Sequence, residues 1–580
     1  MGLIPHVSQQ PRTLSERYRW SLSWAYTSNR IESKTGNPSF RQRVEIPYHP
    51  RQGQGKESAH MEYTSGGLPG NDEGIRVERT EGILDTEVAL SHEEWDKLRR
   101  SHQEQYRRFW QLNDLEKAIE YGTLAVKLTP EDDPVLASRH AALGVSYGDR
   151  LNRLGDMNDL EKAMEHDTRA LALTPDGHPD LSQRHAALGV SYTDRFQHLG
   201  DMSDLKKAIE HHTRALALTP DAHPDLSRWH AALGVSYTDR FRHLGDMSDL
   251  EKAIEHHTRA LTLTPDGHPD SSRRHAALGV SYGDRFRHLG DMNDLEKAIE
   301  HHTRALALTP DGHPDLSQRH AALGVSYTNR FRHLGDMSDL EKAIEHHTRA
   351  LALTLDGHPD LSRRHAALGV SYTNRFRHLG DMSDLEKAIE HHTRALALTP
   401  DAHPDLSQRH AALGVSYTDR FQHLGDMNDL EKAIEHHTRA LTLTPDGHPD
   451  SSRRHAALGV SYGDRFRHLG DMSDLEKAIE HHTRALALTP DAHPDLSQRH
   501  AALGVSYTDR FQHLGDMSDL EKAIEHHTRA LALTPDGHPD LSQRHAALGV
   551  SYTNRFRHLG DMSDLEKAIG HHTVHRSDPR

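Results

Sequence analysis

The residues in this sequence best suited to chemistry are its histidines, 53 among 580 residues. An imidazole near neutral pH serves as a general base, a proton switch or a metal ligand. Other chemistries are thinly represented. The chain has no cysteine, which excludes disulfides, thiolate metal sites and a cysteine nucleophile. It contains no phosphate-cradling loop, no Gly-x-Ser-x-Gly elbow and no His-Glu-x-x-His motif. His92-Glu93-Glu94-Trp95 begins like the last of these, but Asp96 stands where the second His belongs.

The spacing of the histidines explains their number. Ala-Leu-Gly-Val-Ser-Tyr recurs with its Tyr at 147, 192, 237 and every 45 residues up to 552. Asp-Leu-Glu-Lys-Ala-Ile, or a near copy, recurs in phase, its Ala running from 118 to 568. Trp95, Leu98 and Ser101 stand in phase with His140, Leu143 and Ser146, so a degenerate partner opens an array spanning 89–575. Each full unit carries histidines in Gly-His-Pro, Arg-His-Ala, Phe-Arg-His and Glu-His-His, with small variations. Only His6, His49, His60, His92, His102 and His575 lie outside these slots. The enrichment is one choice multiplied by duplication. A catalyst needs one unique pocket, whereas this chain offers the same surface repeatedly, so no enzyme is expected.

The adjacent pair His211-His212 does not chelate, because neighbours on a helix point about 100° apart. His212 lies on an apolar stripe and is expected to be a packed, hydrogen-bonded imidazole. No metal site and no cofactor are expected; a His-rich metal buffer is the weakest alternative. The number of imidazoles titrating near pH ~6.5 predicts loss of helix or solubility between about pH 7 and 5.

The units position these residues on two helices each. After Pro179-Asp180, residues Leu181, His185, Leu188, Tyr192, Phe196 and Leu199 share a 3.6-residue stripe. Gly200 follows, where a left-handed stop belongs. This is helix A. In helix B, Leu205, Ala208, Ile209, His212, Ala215 and Leu216 form the stripe, and Thr219-Pro220 ends it. Ser248-Asp249-Leu250-Glu251 has the form of a capping box with Ser248 as N-cap. Leu355 replaces the terminating Pro in one unit, so a less sharp stop is expected there. Neither helix can bury its stripe alone, and stacking of units completes the core.

Residues 1–88 are polar and turn-rich and read as a largely disordered segment. The last copy is altered: Gly570, Val574, His575 and Arg576 stand where other units have Glu, Arg, Ala and Leu, and 576–580 read as a tail. That predicts a poorly capped end and self-association through it, or a chain lacking a C-terminal effector domain. A net charge of −16 disfavours a nucleic-acid partner. No apolar run approaches the ~18 residues of a membrane span. No secretory signal is evident, so a cytoplasmic location is expected.

Leu188-Gly189, Tyr192, Ala208, Ala215 and Pro220 follow the signature order of tetratricopeptide repeats (TPRs), and the unit resembles that family, at 45 residues instead of the usual 34. The fuller string, through Leu-Thr-Pro-Asp-Gly-His-Pro, is similar to the TPR-like arrays of mushroom-forming fungi, which are often linked to caspase-like CHAT domains. The resemblance implies an all-α, right-handed superhelical solenoid of about eleven helix hairpins. It also implies a non-catalytic scaffold binding a protein or peptide in the groove lined by the A helices. The alternative it implies is a sensor or regulatory arm of a CHAT-type protease system, whose nucleophile this chain lacks. The Lys and Asn with which chaperone-tail binders clamp a carboxylate are replaced by Gln183, Ala186, Ala187 and Val190. The positions that vary between units cluster on helix A: Gln183 becomes Arg228, Thr193 becomes Gly283, Asp194 becomes Asn329 and Gln197 becomes Arg242. Gln183, Thr193, Asp194, Gln197, Arg228, Asp239, Arg242, Arg287 and Asn329 are therefore the candidate partner contacts.

Overall fold

A computed structural model describes residues 90–577, apart from 266, 402, 446 and 492. The segment read as disordered lies outside the described residues. Those described form 22 α-helices in hairpins and no strand. They divide into two compact units, which part between Asp194 and Arg195.

The smaller unit holds α1 (His92–Phe109), α2 (Leu112–Leu128), α3 (Leu136–Leu154), α4 (Met157–Ala172) and the first part of α5 (Leu181–Leu199). The larger unit continues with α6 (Met202–Ala217), α7 (Leu226–Leu244), α8 (Met247–Thr262), α9 (Ser271–Leu289), α10 (Met292–Ala307), α11 (Leu316–Leu334), α12 (Met337–Ala352), α13 (Leu361–Leu379) and α14 (Met382–Ala397). It ends with α15 (Leu406–Leu424), α16 (Met427–Thr442), α17 (Ser451–Leu469), α18 (Met472–Ala487), α19 (Leu496–Leu514), α20 (Met517–Ala532), α21 (Leu541–Leu559) and α22 (Met562–Ser577). Odd numbers are A helices and even numbers are B helices. α22 runs to Ser577, into the stretch read as a tail.

Each core is shared between hairpins. Phe241 on α7, Leu250 and Ile254 on α8, and Leu278 from the following α9 form one buried cluster. The same four slots repeat as Phe286, Leu295, Ile299 and Leu323. A hairpin alone would leave its B helix exposed, so the next A helix is needed to remove that apolar surface from water. Leu199 is 62% exposed: helix A reaches its C-terminal glycine before the last Leu of the stripe can turn inward. Gly200 takes φ +73°, a left-handed stop that favours glycine.

An Arg–Asp ion pair closes the hairpins from α3–α4 onward. Arg240 on α7 donates through Nε to Oδ2 of Asp249 on α8 (2.7 Å) and through Nη2 to Oδ1. Asp249 is buried, and the guanidinium also lies over the Tyr237 ring, 5.1 Å from its centre. Arg285–Asp294 and Arg330–Asp339 repeat this fork. Bidentate geometry makes such a pair directional as well as attractive.

Two sequence expectations are corrected here. Helix B is capped by Asp246, not Ser248: Asp246 Oδ1 accepts from the Ser248 N–H at 2.9 Å, and Ser248 is already inside the helix. Asp249, which would sit in the first turn of a Ser-capped helix, is drawn off to Arg240. A true capping box exists elsewhere, where Ser91 and Glu94 bond each other's backbone at the start of α1. Leu355 does not soften its stop. α12 ends at Ala352 with the same geometry as its neighbours, and His358 N–H bonds Leu355 O as His313 N–H bonds Pro310 O. The helix is already terminated at Leu353-Thr354, so the Pro slot lies beyond the decision.

Replacing Asp246 by Ala should therefore speed amide hydrogen exchange in the first turn of α8, while Ser248→Ala leaves it near wild type. The reverse order would restore the Ser-capped reading.

Candidate interaction face

The interior of each hairpin explains one histidine row. His257 on α8 is buried against Gly234 on α7, where a Cβ would lie 2.5 Å from the imidazole. Gly324–His347 and Gly369–His392 repeat the contact at the same distance. Thr328 donates its hydroxyl hydrogen to Gly324 O and accepts from His347 Nε2 at 3.5 Å; Thr418 and Thr508 treat His437 and His527 alike at 3.4 Å. The expected hydrogen-bonded imidazole is thus half satisfied at His347, His437 and His527, and Nδ1 of these and of His212, His257 and His302 is buried without a partner. Burial pushes His212, His257 and His347 down to about 3, because a charged ring there would lose its hydration.

The first hairpin inverts this contact. Gly122 occupies the His slot on α2 and Arg99 the Gly slot on α1, and a Cβ on Gly122 would lie 2.9 Å from Arg99 Cδ. Large and small exchange sides, so the slots are governed by volume.

A second histidine row is half-buried. His230 on α7 and His256 on α8 meet Nδ1 to Nδ1 at 2.9 Å, and Tyr237 stacks on His256 at 5.6 Å and 3°. The pair recurs at 2.9–3.0 Å through His545–His571. The ring centres lie 5.2 Å apart, about as far as rings with nitrogens so close can be. The two lone-pair directions therefore lie along the N···N line. One ring donates Nδ1–H and the other accepts, and no room remains for an ion between them. Burial, then the partner imidazole, pushes His230 down to about 4. Among the described residues no group of three His, Asp or Glu is placed to hold a metal ion. In the first hairpin these slots carry Trp95 and Tyr121, ring to ring at 5.4 Å.

The A helices form the closer-packed side of the larger unit. Each touches the next A helix, and no B helix approaches the next B helix as closely. Slots 183, 190, 194 and 197 of the repeat share one face of helix A by their spacing. The candidate contacts separate on this face. Gln183 is exposed, and Asp194 and Asn329 are half-buried. Burial and the charge of Asp167 push Asp194 up to about 7. Arg228 pairs with Asp225 at 3.3 Å and lies over the Trp229 ring.

Three candidates face inward, which corrects their reading as groove contacts. Thr193 is buried, its hydroxyl donating to Gly189 O at 2.9 Å. Gln197 is buried and donates to Asp239 Oδ2 at 3.3 Å, and Asp239 is 0% exposed. Burial pushes Asp239 up to about 6. Arg242, half-buried, is taken up by Asp284, Nε to Oδ2 at 2.8 Å. Arg287 turns back to Asp284 on its own helix. These residues form a ladder in which one A helix bonds the next at a separation of 42 residues. Asp284, Arg377 and Asp419 belong to it and were missed. Comparing slots 194 and 197 together, one helical turn short of the repeat, would have exposed the pairing.

No family model matches the sequence, and no characterised protein matches it by sequence. Several solved structures share the paired-helix architecture. A human IFIT1 dimer with PPP-AAAA is 14% identical, over 85% of this chain and 96% of that one, at a TM-score of 0.40. BtubC from P. vanneervenii is 18% identical, over 45% and 90%, at 0.29. TTC0263, a thermophilic TPR protein in Thermus thermophilus, is 20% identical, over 40% and 98%, at 0.29. Among the described residues the fold is an all-α array of paired helices. None of the ligands of these proteins transfers at such similarity.

Two outcomes follow from this geometry. Gly324→Ala should cost about 1–3 kcal/mol by overpacking, against its gain in helix propensity, and His347→Ala in the same chain should recover part of the loss. Urea unfolding of the four chains measures this, and additive effects would show no contact. The imidazoles are held neutral in the fold while the unfolded chain takes up protons below about pH 6.5. Stability is therefore complete above that value and falls as the pH drops towards the folded values of about 4 and about 3. The loss begins where the unfolded imidazoles titrate, and burial deepens it by keeping the folded rings neutral to lower pH. Far-UV circular dichroism from about pH 7 to 3 should show helix loss setting in below about pH 6.5.

Proposed function

We propose that this chain is a non-catalytic scaffold that binds a protein partner along the inner face of its A helices. The observation that supports this reading is where the units differ. Slot 183 varies between Gln and Arg on a face that keeps exposed Gln183 and Gln318 and the exposed apolar Val325, whereas slots 194 and 197 are mostly engaged between neighbouring A helices. The core slots beneath, such as Leu250, Ile254 and Leu278, repeat with little change. An invariant scaffold with a variable open face suits multivalent binding, in which weak contacts add through effective concentration.

A protein suits the face better than a nucleic acid. The net charge is −16, and the arginines of the ladder are mostly neutralised by their own aspartates, leaving no basic stripe for a phosphate backbone. Among the described residues no helix is long and apolar enough to cross a membrane. A cytoplasmic site of action is part of the proposal.

Site-specific photocrosslinking in extract of the source cells tests it. A photoreactive residue at Gln183 or Gln318 should capture a discrete protein, and one at the exposed B-helix position Glu255 should not. Equal capture from all three, or capture from Glu255 alone, would move the function off this face.

A further inference from the structure

The ladder between A helices contains its own control experiment. Where the protein supplies an acceptor, the rung closes: Arg242 on Asp284, Arg377 on Asp419 at 2.9 and 3.1 Å, Arg467 on Asp509 at 3.1 Å, and Gln422 on Asp464 at 3.2 Å. Asn replaces Asp at Asn329, Asn374 and Asn554, the first two on successive rungs and the last facing Gln512 instead of an arginine. Arg287 escapes by turning to Asp284 one helical turn back. Arg332 has no such escape, since its residue one turn back is Asn329 and its cross-helix residue is Asn374.

The result is a cation with neither of its usual acceptors. Arg332 Nε and Asn374 Nδ2 are both buried atoms with no hydrogen-bond partner. Burial alone perturbs the guanidinium, downward, with no carboxylate close enough to offset it. Two buried donor atoms left unpartnered at one rung are costly unless an acceptor arrives. Both side chains remain half-open to the inner face, beside exposed Val325 and Gln318 on α11.

We propose that Arg332, Asn329 and Asn374 form a binding site for a side-chain carboxylate of an acidic peptide segment. The ligand carboxylate takes the place that Asp284, Asp419 and Asp509 hold on the closed rungs. The missing group is identified by those rungs: each time the protein completes one for an arginine, it uses a carboxylate. The flanking primary amides carry both donor and acceptor atoms, which match a peptide unit, and Val325 offers an apolar neighbour. A single guanidinium between two amides is a poor footprint for a polyphosphate chain. This inference rests on the scaffold reading and supplies the partner's chemistry at one place on the face.

Fluorescence anisotropy with the full chain tests it, using labelled (Asp-Ala)5 and its neutral counterpart (Asn-Ala)5 as probes. Asn374→Asp closes the rung internally, and Arg332→Gln installs the residue that the repeat itself carries at 197, 422 and 512, so both chains should fold. The acidic probe should bind the wild type at least tenfold more tightly than the neutral one. Each variant should lose that preference, and Asn374→Asp should also raise the melting temperature. Equal binding of the two probes to wild type, or undiminished preference in either variant, overturns the site. Displacement of the probe by millimolar inorganic phosphate, lost in Arg332→Gln, reassigns it to phosphate and equally overturns the peptide proposal. Repeating the photocrosslinking with Asn374→Asp separates the two readings: capture undiminished by the variant overturns this site and leaves the scaffold standing, whereas absence of capture from the wild type overturns the scaffold.

Discussion

Helix A can lie close to helix B because a glycine faces a buried imidazole. A side chain at Gly234 or Gly324 would enter the ring of His257 or His347, and the hairpin would have to open. The distance set there propagates. It lets Phe241, Leu250 and Ile254 reach Leu278 of the next hairpin, and it brings Arg240 within bidentate reach of Asp249. Packing at this density leaves little freedom for a single slot to change. The first hairpin, with Arg99 against Gly122, keeps the closeness by changing both slots at once.

The histidines are therefore a structural material first. One row is sealed against glycine. The other forms Nδ1–Nδ1 hydrogen bonds backed by a stacked tyrosine. Both rows need neutral rings, one because it is dry and the other because a single proton serves two nitrogens. Low pH opposes the fold at most units together, a consequence of copying one solution many times.

Variation between units reads differently once the helices are paired. Positions that look like independent surface choices are two ends of one bond: the residue at slot 197 answers to slot 194 of the following helix. Gln and Arg alternate as donors, and Asp and Asn as acceptor and neutral stand-in. Most of the variation therefore adjusts how units hold each other. At Arg332 and Asn374, where an arginine meets no carboxylate, the face keeps bonding capacity to offer outward.

The 45-residue period, the paired helices, the stop at Gly200 and the apolar stripe of helix B were legible in the sequence, because they follow from local propensity and from periodicity, which act over one or two helical turns. The resemblance to TPR arrays rested on those same slots. What remained hidden depends on distance across helices. Sequence could not show that Asp249 would be claimed by Arg240, leaving Asp246 to cap the helix. It could not show that Thr193 and Gln197 face inward, or that His230 meets His256. Local spacing places a residue on a face of its own helix. Only the tertiary stack decides whether that face meets solvent, a glycine or a carboxylate, and burial and charge act through those meetings.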